Sequence, residues 1–371
     1  MRNFTLLLIA GGFLSRTAAE TTPAPVPQFL SDWTAKMLPL IPRGYVCGYA
    51  ATPPAIDGKL NDAAWGAAPW TDDFVDIEGA AKPTPWLRTR AKMLWNEECF
   101  FIAAELEEPH VWGTITQHDA VIFQDPDFEV FIDPDGDSHN YYEFEMNALN
   151  TVWDLFLPKP YKDGGPAMNE WEIPGLKSAV HVRGTINKSS DDDDGWSVEI
   201  ALPWKVLAEK AAHAGPPREG EQWRVGFSRV EWQIEIKDGK YVKVPKTPEN
   251  NWIWSAQGVI DMHRPERWGY VQFTKQAPDT VKFIPDSSAP ARDALQGIYY
   301  AQKDFHTKHQ RWAETLDELG YKPESKAGLS SPSLKLTPEG FVCTMDLKLP
   351  DGQSQRWSIQ QDALIQKISP P

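Results

Sequence analysis

The chain has 371 residues, 41% of them hydrophobic, enough for one large β domain or two moderate ones with a substantial core. Its formal charge of −15 excludes ordinary nucleic-acid binding, because backbone phosphates would be repelled, and leaves neutral ligands or cations as partners. No apolar run after the N-terminus is long enough to span a bilayer, which argues against membrane insertion.

Residues 1–19 have the layout of an export signal. Arg2 supplies the charged start, Phe4 to Leu14 is a short apolar stretch, and Thr17-Ala18-Ala19 offers small residues for cleavage. The predicted location is therefore secreted or periplasmic. Cys47, Cys99 and Cys343 are odd in number and far apart, so no disulfide framework is readable, although an oxidising compartment would permit one bridge. Residues 20–43, rich in Pro and small residues, predict an extended lead-in.

Over residues 44–275 short β-type runs alternate with Gly/Pro/Asn/Asp turn clusters, which predicts a mainly β domain, an antiparallel β-sandwich of jelly-roll-like character. The runs include Thr89–Trp95, Cys99–Leu106, Phe128–Asp133, Asn140–Asn147, Thr151–Leu157, Trp196–Leu202, Trp223–Glu231 and Gly269–Thr274. Trp196, Val198, Ile200 and Leu202 alternate cleanly and are assigned to the buried side. The acidic run Asp191–Asp194 is read as a solvated loop. A Pro/Ser/Asp-rich linker at 276–290 leads to a C-terminal α+β appendage, 291–371. There Leu295, Ile298, Tyr299, Phe305, Trp312, Leu316 and Leu319 keep a helical period, with Gly320 as C-cap. Phe341–Leu349 and Gln355–Gln360 then form a hairpin around Pro350-Asp351-Gly352. Residues 291–319 are the segment that would meet a protein partner.

Seventeen Trp residues are interleaved with carboxylates and amides in NNWIWSAQG, FSRVEWQ and NTVWDLFLPKPY. An indole gives a broad apolar face with one polar handle, and a sugar ring is the soluble ligand that uses such a face. Core packing is the other reading for each ring taken singly.

The densest candidate for chemistry is the hairpin at 127–147. Phe128, Val130 and Ile132 share one face with Tyr142, Phe144 and Met146, which leaves Glu129, Glu143, Glu145 and Asn147 on the opposite, outward face. Carboxylates accept hydroxyl hydrogen bonds, which suits a polyol; an ordinary solvated sheet face is the alternative. In the connecting turn, Asp133, Asp135 and Asp137 alternate around Gly136, a spacing of hard oxygen ligands suited to structural Ca2+ or to a plain tight turn. His110, His118 and His139, taken with Asp119, match no standard zinc spacing. Strict alternation from Trp223, Val225 and Phe227 would put Arg229 in the core. It is then either flipped out by a bulge or buried against a carboxylate such as Glu145 or Glu231. Glu129, Glu145, Glu231 and Asp154 are the carboxylates available for an acid/base pair, and no nucleophile elbow, P-loop or dinucleotide fingerprint is present.

Five pieces occur in a fixed order: Ile56-Asp-Gly-Lys-Leu-Asn-Asp-Ala-Ala-Trp65, Ala91–Trp95 followed by Phe100–Glu105, Phe128–Asp133, Trp196–Trp204 and His263–Gly269. Together they resemble a family 9 carbohydrate-binding module over roughly Tyr45–Thr274. The resemblance implies an antiparallel sandwich, non-catalytic sugar binding between aromatic rings, and often bound calcium. It places the family's strand Glu on Glu129 and its first sandwiching aromatic near Phe123. The Arg expected in the following strand aligns with Glu145, and the second Trp with Met262 beside His263. Substitutes for the clamp are Trp112, Trp153, Trp171, Trp232 and Trp252.

The sequence thus predicts an exported, non-catalytic protein that binds a saccharide or polysaccharide in its breakdown or uptake. The predicted ligand set is Phe123, Glu129, Glu145, Asn147, Trp153, Arg229, Trp252 and His263. A glycoside hydrolase using paired carboxylates on the same face, or a structural cell-surface protein with a degenerate sandwich, are the alternatives.

Overall fold

The computed structural model describes residues 29–321 and 328–369. The export-signal segment and lead-in residues 20–28 lie outside the described residues. The strands of the main body are β1 (Gly44–Tyr49), β2 (Val75–Asp76), β3 (Thr89–Trp95), β4 (Cys99–Leu106), β5 (Asp127–Asp133), β6 (Tyr141–Asn147) and β7 (Val152–Leu157). They continue as β8 (Lys177–Arg183), β9 (Gly195–Pro203), β10 (Gln222–Glu231), β11 (Ile234–Lys237), β12 (Lys240–Lys243), β13 (Asn250–Ile253) and β14 (Gly269–Thr274).

One hydrogen-bonded path runs β7-β6-β5-β10-β14-β1-β3-β4-β9-β8, with β13 on β10 and β2 on β13. Neighbours are antiparallel except β1, which lies parallel to both β14 and β3. The path folds over on itself around β1, so the two halves face each other as a β-sandwich. Their inner faces share one core: Phe128, Val130, Tyr142, Phe144 and Phe227 from one half, Met93, Phe100, Ile102, Trp196, Val198 and Ile200 from the other. Nine of the Trp side chains are fully buried, so most of the indole content serves packing. The three cysteines are free thiols.

Several local features differ from what the sequence predicts. The acidic run is not fully solvated, because buried Asp193 accepts hydrogen bonds from the backbone N–H groups of Val111 and Thr185. Within the lead-in, Phe29–Met37 is helical, and the N–H groups of Phe29 and Leu30 donate to the Asp304 carboxylate. The tail helix covers Ala289–His309 and stops ten residues early. Gln310 adopts the left-handed conformation (φ 57°) there, and Ala313 folds back in a reciprocal pair of hydrogen bonds with the Gln302 side chain. The hairpin belongs to a four-stranded sheet, β15 (Ser333–Thr337), β16 (Gly340–Lys348), β17 (Ser354–Gln360) and β18 (Ile365–Ile368), packed on the tail helix. No helix among the described residues is long and apolar enough to cross a membrane.

Candidate functional site

Antiparallel register fixes which side chains meet. Glu129 on β5 lies opposite Glu145 on β6 and Ser228 on β10, and Glu145 lies opposite Trp153 on β7. One step along, Phe131 faces Glu143, which faces Leu155; Asp127 faces Asn147. With period-2 alternation, Asp127, Glu129, Glu143 and Glu145 share the face turned away from the core.

That face is not a solvated surface. Asp127, Glu129, Glu143 and Glu145 are only 0, 5, 4 and 2% exposed. Phe131, Tyr141, Leu155, Leu157 and Trp268 form an apolar patch beside them, with Trp153 and Met262 at its margin. Gly226 accommodates this cover. A Cβ there would come within 3.1 Å of Met262 Cε and Trp268 Cδ1, so the missing side chain lets the 262–268 segment pack closely on β10. The acids therefore form a buried cluster beneath that cover, where the sequence predicts an outward-facing row.

Burial shapes their chemistry. It pushes the Glu129 carboxyl up to about 7, and raises Asp127, Glu143 and Glu145, whose mutual repulsion adds to the effect. Glu145 Oε2 accepts the Phe123 backbone N–H at 3.1 Å, and the Phe123 carbonyl accepts from Trp232 Nε1 at 2.9 Å. In contrast, Asp127 Oδ2, Glu129 Oε2, Glu143 Oε2 and the Trp153 indole N–H are buried with no hydrogen-bond partner. None of the four acids takes part in an ion pair among the described residues. Unmatched buried acceptors are costly, and the raised proton affinities mean that retained protons relieve part of that cost. His263 closes one side: burial lowers its imidazole to about 4, Nδ1 lies 2.9 Å from Tyr141 Oη, and the ring meets Tyr161 edge-on at 4.4 Å.

The profile described as "Carbohydrate family 9 binding domain-like" matches residues 56–275. The chain belongs to this family. Among solved structures, a family 9 carbohydrate-binding module from Caldicellulosiruptor kristjanssonii in complex with cellotriose is 14% identical with a TM-score of 0.40. The match covers 66% of this chain and 100% of that one. The same organism's module in complex with glucose gives 14%, a TM-score of 0.39, and 63% and 97% coverage. A Bacteroides uniformis protein named for carbohydrate binding gives 13%, 0.47, and 63% and 100%. No curated protein matches the chain.

Within the family 9 sandwich, Phe123, Glu129, Glu145, Trp153 and His263 lie at the buried acid cluster or in its cover, and three other predicted ligands do not. Arg229 is wholly buried on the opposite, core side, bonded to Glu231 at 2.7 Å, Glu108 at 2.8 Å and Thr89 Oγ1 at 3.1 Å. Alternation holds without a bulge, and Glu231, not Glu145, is the buried partner. Trp252 is on that same core side, 1% exposed, with the Arg229 guanidinium 5.2 Å from its ring centroid. Asn147 shares the acid face but is spent on structure. Its amide donates to Ile115 O and Asp125 Oδ2, and its carbonyl accepts from the N–H groups of Leu149 and Thr151. Of the other clamp candidates, Trp171 stacks on Tyr142 at 5.0 Å and Trp112 is buried. Sequence reasoning passed over Asp127 and Tyr161. Alternation could have found Asp127, whereas nothing local marks Tyr161, which lies in a loop.

Of the carboxylates considered for acid/base work, only Glu129 and Glu145 share the buried cluster; Glu231 holds Arg229. In the turn, oxygens of Asp133, Asp135 and Asp137 lie within 4.8 Å of one another. Both Asp133 oxygens accept backbone N–H groups, from Gly136 and Ser138, and Arg292 donates to the Gly136 carbonyl. Burial raises the proton affinity of all three, and Asp135 and Asp137 add to it at Asp133, so the close oxygen set suits a hard divalent cation.

Proposed function

We propose that this protein is an exported, non-catalytic saccharide-binding protein whose acid cluster over β5, β6 and β7 takes a sugar ring. One observation carries the reading: the oxygens of Asp127, Glu129 and Glu143 and the Trp153 indole N–H are buried without partners, side by side, in a family 9 sandwich. Sugar hydroxyls would donate to the carboxylates and accept from the indole, while Phe123, Trp153, Tyr161 and His263 supply the ring faces and edges. Acids pushed toward their neutral form by burial and by one another suit an uncharged sugar. We further propose that Asp133, Asp135 and Asp137 hold structural calcium, and that binding serves polysaccharide breakdown or uptake.

Glu129→Gln is the test, since it keeps shape and exchanges one acceptor for a donor. Titration calorimetry against neutral gluco- and xylo-oligosaccharides should show binding by the native protein and at least about tenfold weaker binding by the variant. Equal affinity would remove Glu129 from the site. If the native protein instead releases products and E129Q does not, the acid cluster is that of a glycoside hydrolase.

A further inference from the structure

We propose a second site, independent of the acid cluster: a tetrahedral site for a divalent transition metal of the zinc class, built from His118, Asp119, Asp154 and Glu172 at the β7 edge of the sheet. His118 Nδ1 lies 2.9 Å from the Val152 carbonyl, which can only accept, so Nδ1 carries the hydrogen. In the neutral ring Nε2 is then a bare lone pair. It faces Glu172 Oε2 at 3.3 Å, Asp119 Oδ1 at 3.5 Å and Asp154 Oδ1 at 3.9 Å. Ligand atoms of His118, Asp119 and Asp154 lie within 4.8 Å of one another and Glu172 reaches the same ring nitrogen, so these acceptors repel unless a cation, a metal ion or a proton on Nε2, stands among them.

Two further observations point to an ion. Asp154 is 1% exposed, yet its Oδ1 has no hydrogen-bond partner, and Asp119 Oδ1 is also buried and unpartnered. Spacing agrees as well. A tetrahedron with metal–ligand bonds of about 2.0–2.1 Å has edges of about 3.3–3.4 Å. The three distances from Nε2 need to contract by no more than about half an ångström to match, and the Glu172 side chain must also swing toward Asp119 and Asp154 to complete the four.

The supporting shell is in place. The Val152 carbonyl accepts from both His118 Nδ1 and the Asp119 N–H (3.1 Å), and Asp119 is held in the left-handed conformation (φ 61°). Asp154 Oδ2 accepts the Ile173 N–H at 2.6 Å, which anchors the segment carrying Glu172. Such outer contacts orient ligands and fix the imidazole tautomer. The nitrogen donor separates this site from the all-oxygen Asp133–Asp137 turn and favours zinc over calcium. A bound ion would fasten the 118–119 loop and the 172–173 segment to the strand that carries Trp153.

The test uses the full chain, freed of metal by a chelator and titrated with Zn2+ alone and then Co2+ alone. One equivalent of Zn2+ should bind, Co2+ should develop the intense visible bands of four-coordinate geometry, and excess Ca2+ should not bleach them. His118→Gln, at a half-exposed side chain, should lose that equivalent while keeping the native circular dichroism; Asp154→Asn should lose it too. Unchanged Zn2+ stoichiometry in H118Q, or only the weak bands of six-coordinate Co2+, overturns the proposal. So does a histidine doubly protonated at neutral pH with no Zn2+ uptake, which would make a proton the occupant. Saccharide titration is read separately, so either site can fail without the other.

Discussion

Glu129 is placed where its charge costs stability, and the proposed binding role would explain why it is kept there. Its carboxyl sits at about 7 when folded, against 4.5 for an ordinary glutamate, because burial disfavours the charged form. Between those values the folded protein holds a proton that the unfolded chain has released. Its contribution is therefore full below about pH 4.5 and is lost as pH rises to about 7. Asp127, Glu143 and Glu145 act in the same direction. His263 opposes them: depressed to about 4, it contributes stability above pH 6.5 that fades as pH falls. Four groups outweigh one, so the melting temperature should decline from pH 5.5 to pH 8 in calorimetric scans. Glu129→Gln should flatten that slope and melt about 2 °C higher at pH 8, even as it loses sugar. Arg229 gives the converse case. Removing it by Arg229→Ala strands Glu108 and Glu231 in the core and should cost about 3–5 kcal/mol in denaturant unfolding. Parity alone placed this Arg in the core; its partner Glu108 was not legible, because it arrives from the segment after β4.

At the level of elements, the hairpin of β5 and β6 was readable because alternation assigns each side chain to a face. What alternation cannot say is what lies above a face. The cover over Glu129, Glu143 and Glu145 comes from the 262–268 segment and the Tyr161 loop, distant in sequence, so an expected surface became a buried face. Asn147 was misread for a related reason. An amide at a strand end can serve a ligand or pin the following turn, and only the contacts with Leu149, Thr151 and Asp125 decide. The tail helix shows the limit of periodicity: Trp312 still packs, on His306 and Phe341, after the helix has ended. For the acid turn between β5 and β6, calcium should relieve the repulsion among Asp133, Asp135 and Asp137. Adding Ca2+ to chelator-treated protein should raise the melting temperature, and Asp135→Asn, the most exposed of the three, should weaken that gain. No shift in either protein would mark the segment as a plain turn.

On the scale of the whole molecule, the tail is tied to both segments that cover the acid cluster, 262–268 and the one carrying Tyr161. Residues 262–264 face the acid cluster with Met262 and His263 and face the tail with Arg264. Arg264 Nη1 donates to Tyr300 Oη at 2.9 Å, and that hydroxyl in turn donates to the buried Glu266 carboxylate. Other ties run from the tail to the sandwich: Tyr299 donates to Asp163 beside the Tyr161 loop, and the Ile365 N–H donates to the Asp137 carbonyl. Both covering segments are thus braced from the tail helix. Tyr300→Phe tests this, since it keeps the ring packed against Trp33 and deletes a single oxygen. It leaves Arg264 and Glu266 buried without that partner, a cost of about 1–3 kcal/mol in unfolding free energy. If the bracing positions His263 and Met262, saccharide affinity should fall as well, although Tyr300 is a tail residue that packs on Trp33 and Phe29. Calorimetric titration of the variant at a temperature well below its melting point separates the two effects. Weaker binding there means that the tail shapes the site, and unchanged binding means that it contributes stability alone.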